Sequence, residues 1–266
     1  MAFREVVGHR DRLRLISSAV DRESLPPSLL FVGPDGVGKR LVATALAQAF
    51  NCTALVRSAS SGDSFPVDGC GQCSACIRIA KGSHPDVPIV EPRVLRGESE
   101  RNRVPLDVDR VREVLREVMY RPFEGRRRVI VFNDADRLTN AAQSALLKML
   151  EEPPDSLQCV LITARPDVLL PTVRSRCPRF TFGQLGTVEV WDALVRVHGY
   201  DKSKAQTAAA SAGGSLGRAL LLVSEELDVA QARSLFPQFV IGHRAPQKVR
   251  QPRGQFKIIE NRGLLS

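Results

Sequence analysis

The stretch Gly33-Pro34-Asp35-Gly36-Val37-Gly38-Lys39-Arg40 follows the strand-like run Leu29-Leu30-Phe31-Val32 and precedes a helix-like run from Leu41 to Phe50. A strand, then G-x-x-x-x-G-K-[ST], then a helix lets glycine amides and a helix N-terminus surround a triphosphate while the lysine neutralises its β- and γ-phosphates. Gly33, Gly38 and Lys39 meet that requirement, with Gly36 inside the loop. The closing Ser/Thr, whose hydroxyl would sit on Mg²⁺, is replaced by Arg40, a cation that cannot coordinate another cation. The expectation is a site that takes ATP without hydrolysing it. The plain alternative is a glycine-rich turn with no ligand.

The 266 residues suffice for one large or two ordinary domains, and 43% hydrophobic with 25% charged residues is a soluble globular balance. No apolar run approaches the roughly 18 to 20 residues that span a bilayer, and Met1-Ala2-Phe3-Arg4-Glu5 lacks a signal-peptide core. A cytoplasmic protein is expected. The net charge of +9 favours polyanionic surroundings. From Ile241 to Ser266, however, Arg244, Lys248, Arg250, Arg253, Lys257 and Arg262 stand against Glu260 alone, so much of that charge belongs to the tail.

Upstream of the loop, Leu13, Leu15, Ile16 and Ala19 mark an amphipathic entry helix, and Pro26-Pro27 ends the connection. His9 stands at its start, as a cap, a surface residue or an adenine contact. Downstream, Cys52 is followed by a Ser/Gly-rich excursion and then by Cys70-Gly71-Gln72-Cys73-Ser74-Ala75-Cys76. Three thiolates at C-x₂-C-x₂-C spacing can converge on one tetrahedral ion, and Cys52 supplies a fourth if the intervening segment loops out. Structural Zn²⁺ on Cys52, Cys70, Cys73 and Cys76 is expected. An iron–sulfur cluster and a metal-free cluster are the competing readings, with His84 as a substitute fourth ligand.

Arg93 to Arg103 reads as a loop or edge element. Asp107 and Asp109 then open a helix carrying Val111, Val114, Leu115, Val118 and Met119, which Arg121-Pro122-Phe123 breaks. The triple Arg126-Arg127-Arg128 leads into the buried-type strand Val129-Ile130-Val131-Phe132. In P-loop ATPases the strand carrying the second acidic motif ends on an Asp that holds Mg²⁺, followed in one large group by a Glu that orients water. Here the pair is Asn133-Asp134, so the second metal-holding position is degraded together with the first.

Ala135 to Leu150 reads as a helix stopped by Glu151-Glu152-Pro153-Pro154, and Cys159-Val160-Leu161-Ile162-Thr163 as the next buried strand. Thr163 falls at its C-terminal end, where ligand-facing residues of parallel sheets lie, and Cys159 is assigned to the core. Pro171 to Pro178 passes a short helix into the strand Phe180-Thr181-Phe182, and the chain beyond Gly183 is helical to about Leu227.

Four ordered features carry a resemblance: Arg121-Pro122-Phe123-Glu124-Gly125, the run Ala145-Leu146-Leu147-Lys148-Met149-Leu150-Glu151-Glu152-Pro153-Pro154, Ser175-Arg176-Cys177, and the cysteine knuckle inserted after the loop helix. Over roughly residues 3 to 225 the chain resembles the clamp-loader branch of the AAA+ ATPases, most closely the delta-prime subunits of bacterial DNA polymerase III. The resemblance implies an α/β fold, a P-loop AAA+ parallel-sheet module with a zinc-knuckle insert, followed by a small helical lid domain. It implies Thr163 and Arg218 as nucleotide-sensing residues. It implies Arg176 as a finger reaching into a neighbouring subunit, where the bare sequence would read a surface arginine capping its own helix. The gamma/tau motor subunits share the knuckle and the Ser-Arg-Cys triplet but need both metal-holding residues, so Arg40 and Asn133 favour delta-prime.

On this reading residues 1–182 form the nucleotide-binding module with its zinc insert at about 52–84, 183–228 the lid, and 229–266 an atypical basic tail where a helical collar domain is expected. A truncated or frameshifted end is the first expectation and a collarless subunit the second. The implied role is in DNA replication, as a component of the DNA-directed DNA polymerase holoenzyme whose own ATPase site is degenerate. Its implied partners are gamma/tau ATPase subunits and the delta clamp-opening subunit, with the sliding clamp and primer-template DNA reached through the complex and no membrane contact. A free-standing ATP-dependent switch protein is the reading from a different class.

Overall fold

The computed structural model describes residues 2–58, 65–94, 103–118 and 120–224. After a 3₁₀ turn, Phe3–Glu5, come α1 (Arg10–Asp21), β1 (Ser28–Val32) and α2 (Lys39–Asn51). The insert carries β2 (Val56–Arg57), β3 (Val67–Asp68) and α3 (Ser74–Ala80). Next are β4 (Ile89–Val90), β5 (Arg93–Val94), β6 (Arg103–Val104), α4 (Val108–Val118) and β7 (Arg128–Phe132). Then follow α5 (Asn140–Glu151), β8 (Leu157–Thr163), α6 (Pro171–Arg174) and β9 (Arg179–Thr181). The described chain closes with α7 (Thr187–Asp192), a π-helical turn Ala193–Val197, α8 (Lys202–Ser211) and a helical segment over 216–224.

Five strands make one sheet in the order β4-β7-β8-β1-β9, parallel throughout. Parallel strands are buried on both faces and so read as continuous apolar runs, and the two faces here divide by strict alternation. Leu29, Phe31, Val129, Val131, Val160 and Ile162 pack with Leu13 and Ile16 of α1 and with Val42 and Leu46 of α2. Leu30, Val32, Ile130, Phe132, Cys159 and Leu161 pack on the opposite face with Val111 and Val114 of α4 and with Leu146 and Met149 of α5. A side chain the size of Phe31, fully enclosed, would cost roughly 3–5 kcal/mol to truncate to alanine. Leu185, Val190, Leu194, Ala205, Ala209, Leu216 and Val223 form a separate apolar cluster between α7, α8 and segment 216–224.

Because all five strands run the same way, their C-terminal ends share one edge of the sheet, where α/β folds bind ligands. Thr163 is opposite Val32 in the register, and Phe132 is opposite Leu161, so Gly33, Thr163 and Asn133 end neighbouring strands side by side. Glu91 follows β4, whose Val90 pairs with Phe132.

The insert is tied to the module by buried hydrogen bonds. The Ser17 hydroxyl accepts from the Val67 amide at 2.9 Å and donates to the Val67 carbonyl at 2.6 Å. Asp68 accepts from the Phe3 amide at 2.8 Å and from the Arg4 guanidinium at 3.1 Å. Gln48 of α2 donates to the Cys76 carbonyl at 2.7 Å.

Several element boundaries differ from the sequence expectation. The helix expected from Ala135 to Leu150 is a 3₁₀ turn, Ala135–Arg137, followed by α5. The break at Leu138 pairs with Leu106 in an isolated parallel bridge, and Thr139 then caps α5 by accepting from the Ala142 amide at 3.2 Å. The last sheet strand is Arg179–Thr181 rather than Phe180 to Phe182, although the Phe182 amide still donates to the Val32 carbonyl of β1 at 2.7 Å and both phenylalanines pack on Phe31. The ends of the Arg93 to Arg103 stretch pair as β5 and β6, antiparallel. Its middle, Met119, and the basic tail expected from 229 onward lie outside the described residues. Among the described residues no helix is long and apolar enough to cross a membrane.

Candidate functional site

The loop from Gly33 to Gly38 connects the end of β1 to the N-terminus of α2. Gly36 (φ +74°) and Gly38 (φ +105°) take conformations that L side chains rarely adopt, as the tight turn from β1 into α2 requires. Among the described residues the backbone amides of Asp35, Gly36, Val37 and Gly38 donate to no protein acceptor. Four free donors in sequence at a helix N-terminus are the kind of group that binds an anion.

Lys39 is buried within this loop, its Nζ donating to the carbonyls of Gly33 at 2.5 Å and Pro34 at 2.7 Å. Burial lowers its pKa from the usual lysine value, while the carboxylates of Asp35, Asp134 and Asp136 oppose that shift. Arg40, the next residue, pairs with Glu91 at the end of the edge strand β4, its Nη1 lying 3.0 Å from Oε2.

The acidic end of β7 is arranged around Asp136. Asp136 accepts from the Thr163 hydroxyl at 2.9 Å and pairs with Arg165 at 2.8 Å. Thr163 is buried, and its carbonyl accepts from the Gly33 amide at 3.2 Å. The Asn133 amide donates to the Val90 carbonyl at 2.9 Å, and Asp134 follows in the left-handed region at φ 55°. His9 caps α1 with its ring edge-on to Phe182, centroids 5.2 Å apart, and its Nε2 donates to the Val37 carbonyl at 3.0 Å.

The helical segment after α8 closes against the same loop. The Ser215 hydroxyl donates to the Asp35 carbonyl, and the Gly217 amide donates to the Gly36 carbonyl, both at 2.9 Å. Gly36 has no room for a side chain, since an added Cβ would lie 2.3 Å from Ser215 Oγ. Arg218 is exposed on this segment, with its amide on Ser215 Oγ at 3.2 Å.

The expected residues therefore divide. Gly33, Gly36, Gly38, Lys39, Arg40, Thr163, Asn133 and Asp134 share one sheet edge, and Arg218 rides on the segment docked there. Arg176 makes its contacts elsewhere, donating to the Thr172 carbonyl at 2.9 Å and pairing with Glu151 at 2.6 Å. Sequence reasoning missed Asp136 and Glu91. Asp136 was visible as a second acid two residues after Asp134, and Glu91 as the acid closing an apolar pair, but no motif assigns either.

The cysteine cluster forms as expected. The Sγ atoms of Cys52, Cys70, Cys73 and Cys76 all lie within 4.8 Å of one another. Cys52 and Cys73 are 3.9 Å apart, close to the roughly 3.8 Å between sulfurs of a tetrahedral zinc–thiolate site. Main-chain amides point at the sulfurs: Cys70 N to Cys52 at 3.2 Å, Cys73 N to Cys70 at 3.3 Å and Cys76 N to Cys73 at 3.5 Å. Burial opposes ionisation of Cys73, yet the Cys76 amide and the Thr53 hydroxyl and amide bring it down to about 5. Burial raises Cys52 and Cys76, whereas amides outweigh it at Cys70. A donor set of four sulfurs, two of them already inclined to thiolate, fits a soft divalent ion. His84 is not part of it: its Nε2 faces Glu124 at 3.5 Å, and Glu124 also holds Arg78 at 2.7 Å.

Residues 8–186 match the family described as "DNA polymerase III, delta subunit". Over 196 residues the chain is 33% identical to the DNA polymerase III subunit gamma/tau of Mycobacterium tuberculosis, covering 74% of this chain and 31% of that protein. It is 38% identical over 148 residues to the DNA polymerase III subunit delta' of Pseudomonas aeruginosa, covering 56% and 40%. The chain thus spans well under half the length of these relatives. Among solved structures, Thermotoga maritima RuvB, a Holliday junction branch migration motor, superposes with a TM-score of 0.51 at 15% identity, over 86% of this chain and 64% of that one. That likeness shows a shared P-loop AAA+ fold.

Proposed function

Since this chain belongs to the DNA polymerase III delta subunit family, we propose that it acts in DNA replication as a clamp-loader subunit of delta-prime type that binds nucleotide without turning it over. The observation that carries this reading is the pairing of Arg40 with Glu91 at the place where a hydroxyl would hold Mg²⁺. With Asn133 at the second metal-holding position, the acceptors that an ATPase uses to fix the ion are missing from both sides. Lys39 and the free loop amides still offer a cradle for phosphates, with Thr163 and Arg218 as sensing residues. Residues 1–182 serve as the nucleotide module and 183–228 as its lid.

Arg176 supplies a guanidinium to the ATPase site of an adjoining gamma/tau subunit, and a delta subunit of the same assembly opens the clamp. Sliding clamp and primer-template DNA are reached through that assembly. Cys52, Cys70, Cys73 and Cys76 hold one Zn²⁺ that stabilises the insert. Four sulfur ligands leave no open position on the ion, so it supplies cross-linking rather than chemistry.

Two measurements test the proposal. Copurification from cells should recover a gamma/tau-type ATPase and a clamp-opening subunit. The isolated chain should show no ATP turnover above a Lys39→Ala control. Turnover abolished by Lys39→Ala would instead make this a motor subunit of gamma/tau type, and recovery without replication partners would favour a free-standing switch protein.

A further inference from the structure

Two substitutions separate this nucleotide site from a metal-dependent one, and they compensate in charge. A divalent ion held by one carboxylate places a net charge of about +1 beside the β- and γ-phosphates. Arg40 beside the neutral Asn133 places one positive charge in the same region with no ion at all, once a phosphate has displaced Glu91 from it. Without an ion, arginine in place of the hydroxyl with the carboxylate kept, or asparagine in place of the carboxylate with the hydroxyl kept, would leave the region one positive charge short. The pair together restores it.

The geometry agrees with this exchange. Arg40 is the second residue of α2, one position beyond Lys39, and its guanidinium is held over the C-terminal edge of the sheet by Glu91 at 3.0 Å. Glu91 closes β4, and the main chain of β4 is bonded to Asn133, whose amide donates to the Val90 carbonyl at 2.9 Å. The ion pair therefore bridges the phosphate loop and the strand ends where a metal would otherwise connect them. Both partners are about half exposed, at 50% and 44%, and a pair so open to water is weak. A guanidinium also presents a planar fork of donors that matches phosphate oxygens, so a doubly charged phosphate competes well with one carboxylate for it.

We propose that Arg40 stands in for the metal, so that this site binds the phosphates of a nucleoside di- or triphosphate independently of Mg²⁺, with Glu91 as the internal carboxylate that phosphate displaces. This rests on the nucleotide reading of the loop given above. It accounts for a phosphate cradle with intact glycines and lysine in a chain that has lost both metal-holding groups.

The test is calorimetric titration of the full chain with ADP and with ATPγS, once in Mg²⁺ and once in magnesium-free buffer prepared without a soluble chelator, which would also draw zinc from the cysteine cluster. Dissociation constants in the two buffers should agree within about twofold, because no ion bridges protein and phosphate. In the magnesium-free buffer, Arg40→Ala should weaken binding roughly tenfold or more, the usual loss for a charge-assisted hydrogen bond, and Glu91→Gln should tighten it. Zinc content and circular dichroism confirm that each variant is folded. The double variant Arg40→Thr with Asn133→Asp should become Mg²⁺-dependent. Binding by the unaltered chain only in Mg²⁺ would overturn the inference while leaving the nucleotide reading intact, as would undiminished binding by Arg40→Ala without Mg²⁺. No binding of either nucleotide in either buffer would overturn both.

Discussion

Nη2 of Arg176 lies 2.6 Å from Oε1 of Glu151, tying the second residue beyond α6 to the last residue of α5. The entry to α6 is fixed by the same helix, since Gln143 accepts from the Leu170 amide at 2.7 Å. Both members of the ion pair are partly exposed, at 35% and 49%, so it contributes at most about 1 kcal/mol and is readily exchanged for another anion. Arg176→Ala should leave the chain folded and zinc-bound. In a reconstituted loader it should slow ATP hydrolysis at one neighbouring motor site by roughly 10³ to 10⁵, with poor rescue by Arg176→Lys, which lacks the planar fork. Clamp loading at the unmodified rate by the alanine variant would return Arg176 to a capping role on its own helix.

The knuckle should contain one zinc per chain, read by metal analysis of the purified protein. Cys73 sits at the centre of the cluster, accepting the Cys76 amide and facing Cys52 at 3.9 Å. Cys73→Ser should release the metal and loosen the insert, with a loss of stability of several kcal/mol in the insert's own unfolding step. Unchanged zinc content in that variant would eliminate the four-cysteine assignment.

Asp86 makes acid stability a second readout. It is fully buried, accepts the amides of Phe123, Glu124 and Gly125 at 2.7 to 2.9 Å, and pairs with Arg128 at 3.0 Å. Burial would raise its carboxyl, but the three amides and the guanidinium bring it down from 3.8 to about 2. A depressed folded pKa means the contribution is complete above about pH 4 and is lost as pH falls toward 2. That contribution amounts to about 2 kcal/mol. Asp86→Asn should cost more, roughly 3–5 kcal/mol, because Arg128 is then left without its counter-ion. A melting curve for this variant that differs little from the unaltered chain would show that the Phe123–Gly125 turn is held by other means.

Gly36 and Gly82 provide a matched pair for the docking of segment 216–224 on the phosphate loop. Both have positive φ, +74° and +67°, so alanine at either costs about 1 kcal/mol of backbone strain. An added Cβ at Gly36 would also lie 2.3 Å from Ser215 Oγ, whereas at Gly82 nothing is within 4 Å. Gly36→Ala should therefore speed hydrogen exchange at Gly217 and Ala219 by opening this contact, and Gly82→Ala should not. Equal protection in the two variants would mean that the segment stays docked without the Ser215 hydrogen bond.

The sheet was legible in the sequence because parallel strands buried on both faces leave unbroken apolar runs, as at Val129 to Phe132 and Cys159 to Thr163. The phosphate loop and the cysteine knuckle were legible because each is nearly local: a glycine conformation, a helix start and a fixed spacing of thiols are written in short stretches. Cys52 joins the knuckle from the end of α2, and its place there required only that the intervening segment loop out. What the sequence could not supply were contacts between strand ends far apart in the chain. Arg40, on the helix after β1, meets Glu91 after β4 across the ends of β7 and β8, only because all four strands end on one edge of the sheet, and Asp136 meets Thr163 only because β7 and β8 are in register. Those pairings depend on the strand order and on which edge the loops share. The order is selected by packing two apolar faces against separate sets of helices, and no short stretch of residues encodes that choice.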